Sequence, residues 1–296
     1  MTIAAGFKVR DGVLLCADTE YSGGVKFYDE KIFRHHFNGG SIAVAIAGNG
    51  TNAGMAFRDV CYGLTARATP YSPKEVEHAI RRAVKKVYDG YVTGVDESQN
   101  AAFDLIIAVN LKGIEPYLLA SSNRGVAAVD YFASRGSGWN LSDYIVKHLY
   151  DPLTGSLVEC AIIALQFLSA AKRYCEGVSG PSQFLTICQG VMRDTFTRDF
   201  GVAEEQIHQY ERTSARLLFP ISDASLDESV IDWHISRFAQ EVKQIHATLK
   251  SDADWFPQFL KNLIPDPIGR SGPPSPTADP PTPLPSPESP EWSDGS

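Results

Sequence analysis

Apolar residues in the first fifty positions gather in short β-prone runs separated by polar, glycine-containing steps. Residues 3–9 and 13–17 flank Arg10-Asp11-Gly12, and residues 32–37 and 41–47 flank Asn38-Gly39-Gly40. Glycine in such steps accepts the positive φ of a tight turn, so two β-hairpins are predicted, joined by a polar segment around Ser22-Gly23-Gly24. The run from Ser41 to Ala47 carries no charge, which predicts a strand covered on both faces. After Gly48 the period changes. Met55, Val60 and Leu64 predict an amphipathic helix ending near Arg67. Ser72, Pro73 and Glu75 then form a capping box ahead of Val76, Ile80, Ala83, Val84 and Val87, with Arg81, Arg82, Lys85 and Lys86 on the wet face. Strands are predicted over 103–109, 117–120, 126–132 and 184–188, and helices over 141–149, 157–174 and 226–249.

That order lacks the strict βαβα alternation of a doubly wound nucleotide-binding sheet. The fold class predicted is α/β of the α+β type. Two antiparallel sheets stack face to face with helices on both outer faces, a four-layer αββα sandwich.

Composition narrows the picture. The 296 residues are 44% hydrophobic and 21% charged, an ordinary soluble balance with length for a sizeable core. The composition shifts after Pro265, where eleven of the last 32 residues are proline. The predicted organisation is a folded domain over 1–250, a linker over 251–265 and a disordered proline-rich tail over 266–296. A net charge of -8 and the lack of a basic stripe argue against nucleic acid as partner. No stretch approaches 18 uninterrupted apolar residues, and the N-terminus does not read as a signal peptide, so no membrane association is expected. Five scattered cysteines without a CxxC pair suit free thiols in a reducing compartment, which points to the cytoplasm. The seven histidines show no metal-ligand spacing.

Candidate chemistry starts at Thr2. A small second residue generally permits removal of the initiator methionine, leaving an α-amine of pKa about 7.7–8.0 beside a hydroxyl nucleophile. The turn at Asp11-Gly12 lies nearly midway between Thr2 and Asp18, so an antiparallel return brings the two together. Lys31, at the start of the third strand, would favour a neutral amine and stabilise an alkoxide, and Asp18 would orient that lysine. On the residues alone, an ordinary strand start for Thr2 and a surface ion pair for Asp18 and Lys31 remain open.

Thr2, Gly6, Asp11-Gly12, Ala17-Asp18, Lys31-Ile32-Phe33 and Ala47-Gly48 follow in the order and nearly the spacing of a proteasome β-type subunit. Gly136-Ser137-Gly138 and Glu176-Gly177-Val178-Ser179-Gly180 resemble two further elements of that family. The resemblance, to a branch of the N-terminal nucleophile hydrolases, covers residues 2–190. It implies Thr2 as nucleophile, Asp18 and Lys31 as its charge pair, and the Gly48 N–H as oxyanion donor. Ser137, Glu176 and Ser179 would support the Thr2 amine, and Tyr21, Ser22, Ile46 and Gly50 would line the substrate pocket, with Ile46 favouring apolar side chains. Glu176 stands where the family usually has aspartate. The segment between Asp18 and Lys31 is shorter than usual, and no propeptide precedes Thr2. The implied activity is threonine-type endopeptidase through an acyl-enzyme, needing no metal or organic cofactor. Its substrate would be a peptide or unfolded protein, and the chain would assemble as a homo-oligomer, ring-shaped or otherwise closed. No unfoldase partner is identified. Two alternatives stand beside it: an amidohydrolase of the same fold acting on a small amide, and an inactive structural subunit.

Overall fold

The computed structural model describes residues 2–252 and Phe259, apart from 24, 66–68, 97–100, 154, 194–195, 199 and 224; side chains are described outside 22–27 and 252. β1 (Ile3–Val9) and β2 (Gly12–Ala17) pair antiparallel from Ala4↔Ala17 to Val9↔Gly12, closing at Arg10 and Asp11. A short hairpin follows, β3 (Glu20–Gly23) with β4 (Val25–Tyr28). β5 (Ile32–Phe37) then pairs β6 (Gly40–Gly48). After two helices come β7 (Phe103–Leu111), β8 (Tyr117–Ser122), β9 (Gly125–Val129) and β10 (Phe132–Gly136). β11 (Ser182–Cys188), β12 (Val191–Met192) and β13 (Phe196–Arg198) follow two more helices.

The first sheet has the order β10-β1-β2-β11-β12, with β13 also on β11, and the second runs β5-β6-β7-β8-β9. α1 (Gly50–Thr65) and α2 (Pro73–Val87) cover the second sheet. α3 (Trp139–Leu149) and α4 (Leu157–Tyr174) cover the first. The four-layer αββα sandwich is therefore the architecture observed.

The layers follow from the period-2 geometry of a strand. In β6, Ile42, Val44 and Ile46 face the helices, while Ala43, Ala45 and Ala47 face the opposite sheet. In β1, Ile3, Ala5, Phe7 and Val9 meet α3 and α4, and Ala4 points between the sheets. Phe7 anchors that helix-facing layer against Phe132 (4.8 Å between ring centroids), Tyr150 (5.5 Å) and Phe167 (6.2 Å). Burying one such ring contributes about 1.5–3 kcal/mol. α2 starts where its cap predicts. The Ser72 side chain accepts from the Glu75 N–H, and the Glu75 carboxylate accepts the Ser72 N–H at 2.9 Å. Pro73 occupies the first turn, where a missing donor costs nothing.

Three elements depart from the pattern. The predicted strand over 126–132 is two strands in different sheets, because the chain crosses between layers at Asp130 and Tyr131: β9 pairs β8, and β10 pairs β1. The polar segment around Ser22 is the β3–β4 hairpin. α5 (Gly201–Ser222) had no predicted counterpart. Its buried residues are Ala203, Thr213 and Pro220, too few for an apolar stripe. Ala203 and Ile207 pack on the core of the first sheet, and polar contacts add to them: Lys172 to Glu204 (2.6 Å), Gln166 to Glu211 (2.8 Å) and Thr213 to Glu241 (2.7 Å). α6 (Glu228–Asp252) pairs with α5; of its predicted stripe only Ile245 is buried, and Leu249, half-buried, packs against the core of the first sheet. The tail over 266–296 lies outside the described residues, as does most of the linker over 251–265. Among the described residues, no helix is long and apolar enough to cross a membrane, and all five cysteines are free.

Candidate functional site

Three chain segments converge at one end of the first sheet. Thr2 immediately precedes β1, Asp18 follows β2, and Lys31 precedes β5. The β1–β2 register ends at Ala4↔Ala17, which sets Asp18 beside the chain start, and the Asp18 N–H donates to the Ile3 carbonyl at 3.2 Å. Lys31 is fixed from both sides of its peptide. Its N–H donates to Gln183 Oε1 at 2.6 Å, and its carbonyl accepts from the Ile46 N–H at 3.0 Å.

The side chains of Thr2, Asp18 and Lys31 are 3%, 0% and 1% exposed, so water does not screen their charges. Thr2 Oγ1 donates to Asp18 Oδ1 at 2.7 Å, and Lys31 Nζ donates to the same carboxylate oxygen at 2.9 Å. Lys31 Nζ also donates to Thr2 Oγ1 and to the Glu20 carbonyl. Backbone donors complete the shell of Asp18: the Ile3 N–H at 2.9 Å on Oδ1, then Glu20 (3.1 Å) and Ser179 (3.4 Å) on Oδ2. Burial pushes the Lys31 ammonium below the ordinary lysine range, and the charges of Asp18 and Glu20 oppose that shift. The Tyr21 ring lies 5.0 Å from Lys31 Nζ, a cation–π distance. Burial raises the Tyr21 phenol, so the ring is neutral there. The result is a hydroxyl held between a cation and a carboxylate, a geometry suited to generating an alkoxide.

The remaining predicted residues divide. Ser137 is exposed, and its hydroxyl donates to the Thr2 carbonyl at 3.3 Å. Gly136 explains the glycine beside it: φ is +96°, and a Cβ there would lie 2.0 Å from the Thr2 carbonyl oxygen. Ser179 reaches the cluster through its N–H on Asp18, while its hydroxyl donates to the Glu20 carboxylate. Glu176 is exposed just beyond α4 and makes neither of those contacts. Gly48 ends β6 exposed, with φ +80°, and Asn49 caps α1 by accepting the Asn52 N–H at 3.0 Å. Tyr21 is half-buried, and a Cβ on Gly50 would lie 2.5 Å from its ring. Ile46 is 2% exposed in the layer between the second sheet and its helices, with Tyr21 packed against that layer. Ser22 lies in β3, and its side chain is outside the description.

Two residues at this site had no sequence signal: Glu20 and Gln183. Glu20 is 1% exposed and bonded to Ser179, yet in the sequence it is one acidic residue in a polar stretch. Gln183 is fully buried in β11, and its Oε1 holds the N–H groups of both Lys31 and Ile32. In the sequence it is one polar residue at the start of an apolar run, after Pro181 and Ser182. Among the described residues, no group of three or more His, Cys, Asp or Glu is arranged to hold a metal ion.

No family model and no curated protein matches the chain. Solved structures do. The chain is similar to an Anbu (Gly-1) mutant from Hyphomicrobium sp. strain MC1, with TM-score 0.64 and 15% identity, over 77% of this chain and 100% of that one. It is similar also to Anbu, described as an ancestral beta-subunit, from Yersinia bercovieri (TM-score 0.63, 12% identity, 76% and 99% covered). A third is the Anbu complex from Pseudomonas aeruginosa, solved as a helical assembly (TM-score 0.62, 13% identity, 77% and 99% covered). These neighbours overturn the assignment to proteasome β-type subunits, because Anbu is a distinct family. The sequence elements that carried the resemblance are short, and several answer to the sandwich itself: Gly12 and Gly136 have positive φ, and Asp18 and Lys31 form a buried ion pair, so they do not separate one family from another. At such low identity the likeness to Anbu shows the fold alone.

Proposed function

We propose that the chain is an N-terminal threonine hydrolase that cleaves peptide bonds through an acyl-enzyme. The observation that carries this reading is the buried contact of Thr2 Oγ1 with both Lys31 Nζ and Asp18 Oδ1. Loss of the peptide bond ahead of Thr2 frees its amine, which takes the Oγ proton as Oγ attacks the scissile carbonyl. Lys31 stabilises the developing alkoxide at a buried position, where a charge-assisted hydrogen bond is strong. Asp18 holds Lys31 in place. The Gly48 N–H is the proposed donor to the carbonyl oxyanion. The amine then gives its proton to the leaving nitrogen, leaving an ester on Thr2, and a water activated by the same amine hydrolyses it. Ser137 steadies the backbone of Thr2 through its carbonyl. Tyr21, Ser22, Ile46 and Gly50 are proposed to border the substrate, with half-buried Tyr21 as the side chain within reach.

Assembly as a homo-oligomer belongs to the same reading. The Pseudomonas aeruginosa neighbour is solved as a helical assembly, and the α5–α6 pair leaves Leu218, Phe219 and Trp233 exposed. The free cysteines support a cytoplasmic location.

The test is Thr2→Ala in a preparation matched by gel filtration. Active wild-type protein is expected to begin at Thr2 by intact mass, and Thr2→Ala is expected to lose turnover of an apolar blocked peptide while assembling normally. Wild-type cleavage by Thr2→Ala, or active protein that keeps Met1 on every molecule, refutes the mechanism. Turnover of a small-amide panel without any peptide cleavage replaces the peptidase with an amidohydrolase.

A further inference from the structure

The acidic-x-x-Ser-Gly element places a carboxylate at Glu176, three residues before Ser179, yet Glu176 is exposed. Another carboxylate is in contact with Ser179. Glu20 is 1% exposed, and its Oε2 accepts the Ser179 hydroxyl. Its backbone is tied to the same partners. The Glu20 N–H donates both to the Ser179 carbonyl at 3.2 Å and to Asp18 Oδ2 at 3.1 Å, and the Glu20 carbonyl accepts from Lys31 Nζ. One residue thus meets Asp18, Lys31 and Ser179 at once, from a hairpin edge that no catalytic element of the sequence marks.

A buried carboxylate is costly unless it is paired and hydrogen-bonded. Glu20 is retained beside the one buried cation of the site, where its charge favours the protonated lysine. Resting on the hydrolase reading, we propose that Glu20, in place of Glu176, is the positioning carboxylate of this site: it holds Ser179 against Asp18 and keeps Lys31 protonated beside Thr2.

The charged groups facing Lys31 among the described residues are Asp18, after β2, and Glu20, in β3; Tyr21 and Gln183 face it from β3 and β11 without charge, and Thr2, before β1, brings its hydroxyl and, once freed, an α-amine whose own titration sets the acid limb and not the alkaline one. Loss of the Glu20 charge removes one of the two carboxylates that raise the Lys31 pKa, Asp18 being the stronger. Lys31 then loses its proton at lower pH, so the alkaline fall in reaction rate moves to lower pH. A purely structural role would slow the reaction without moving that fall.

The experiment measures the rate at which a threonine-reactive β-lactone acylates Thr2 in the full-length protein, read by mass spectrometry across pH. Glu20→Gln keeps the shape and an acceptor for Ser179. It is expected to slow labelling at neutral pH about tenfold or more, and to move the alkaline limb down by about one pH unit. Glu176→Gln is expected to move that limb less. Ser179→Ala, which breaks the contact from the other side, is expected to slow labelling with the alkaline limb in place, and it keeps the proposal testable where Glu20→Gln fails to fold. Labelling of wild-type protein that is matched in rate and pH profile by Glu20→Gln, or in rate by Ser179→Ala, overturns this inference and leaves the hydrolase reading standing. Equal shifts for Glu20→Gln and Glu176→Gln also overturn it. Absence of any Thr2 labelling in wild-type protein with a free Thr2 amine overturns both.

Discussion

Asp18→Asn is the substitution whose cost the structure specifies best. Asp18 is fully buried and accepts five hydrogen bonds: Thr2, Ile3 and Lys31 on Oδ1, Glu20 and Ser179 on Oδ2. An asparagine that keeps its oxygen toward Thr2 and Lys31 turns an amide N–H₂ toward the Glu20 and Ser179 N–H groups, donor against donor. The same change removes the partner of a lysine that is 1% exposed. Breaking a buried pair from one side costs about 3–5 kcal/mol, a large share of the roughly 5–15 kcal/mol that holds a domain folded. The loss also depends on pH. Burial sets the folded-state pKa of Lys31 below its unfolded value, and Asp18 opposes that depression. Between the folded and unfolded values the unfolded chain binds more protons, so stability rises with pH there. Without Asp18 that window opens at lower pH, so the deficit against wild type is largest where Lys31 is charged in both folded proteins and shrinks as pH rises and the variant's Lys31 becomes neutral first. Urea unfolding followed by tryptophan fluorescence, at about pH 7 and again at about pH 9.5, tests both claims. A deficit under about 1 kcal/mol, the range of an exposed ion pair, or one equal at both pH values, would show that the pair is not buried as described.

Two further substitutions follow from geometry and composition. Gly180→Ala should destabilise by about 1–2 kcal/mol and lower any Thr2 reactivity, because φ is +78° and the new Cβ would lie 2.5 Å from both Thr19 Oγ1 and the Tyr28 ring; thermal unfolding unchanged from wild type would refute this. Truncation after Pro265 should leave the circular dichroism spectrum, melting temperature and peptide cleavage nearly unchanged, since so proline-rich a segment buries little; a large drop in melting temperature would show that the tail docks.

What could be read from the sequence, and what could not, divides along the range of the interactions. The β1–β2 hairpin and the start of α2 rest on contacts within a few residues, Asp11-Gly12 in one case and Ser72 with Glu75 in the other, so local chemistry suffices to predict them. The convergence of Thr2 and Asp18 is a consequence of the same hairpin and was legible for that reason. β9 and β10 were not separated, because Val126, Val129, Tyr131 and Phe132 are β-prone on both sides of Asp130, and the change of partner there, from β8 in one sheet to β1 in the other, is a long-range choice. α5 escaped because Ala203, Ile207 and polar contacts to α4 and α6 dock it, and these leave no apolar period. Glu20 belongs to this second kind. Its partner Ser179 is 159 residues away in sequence, and spacing to Ser179 favours Glu176, the nearer carboxylate along the chain. In space the order reverses: Glu176 follows the end of α4 into solvent, whereas the Glu20 N–H is committed to Asp18 and to the Ser179 carbonyl. A side chain whose own backbone is pinned to the site at two points is the one placed to act there. For that reason the carboxylate that supports Ser179 is assigned from the hairpin edge of β3 and not from the motif.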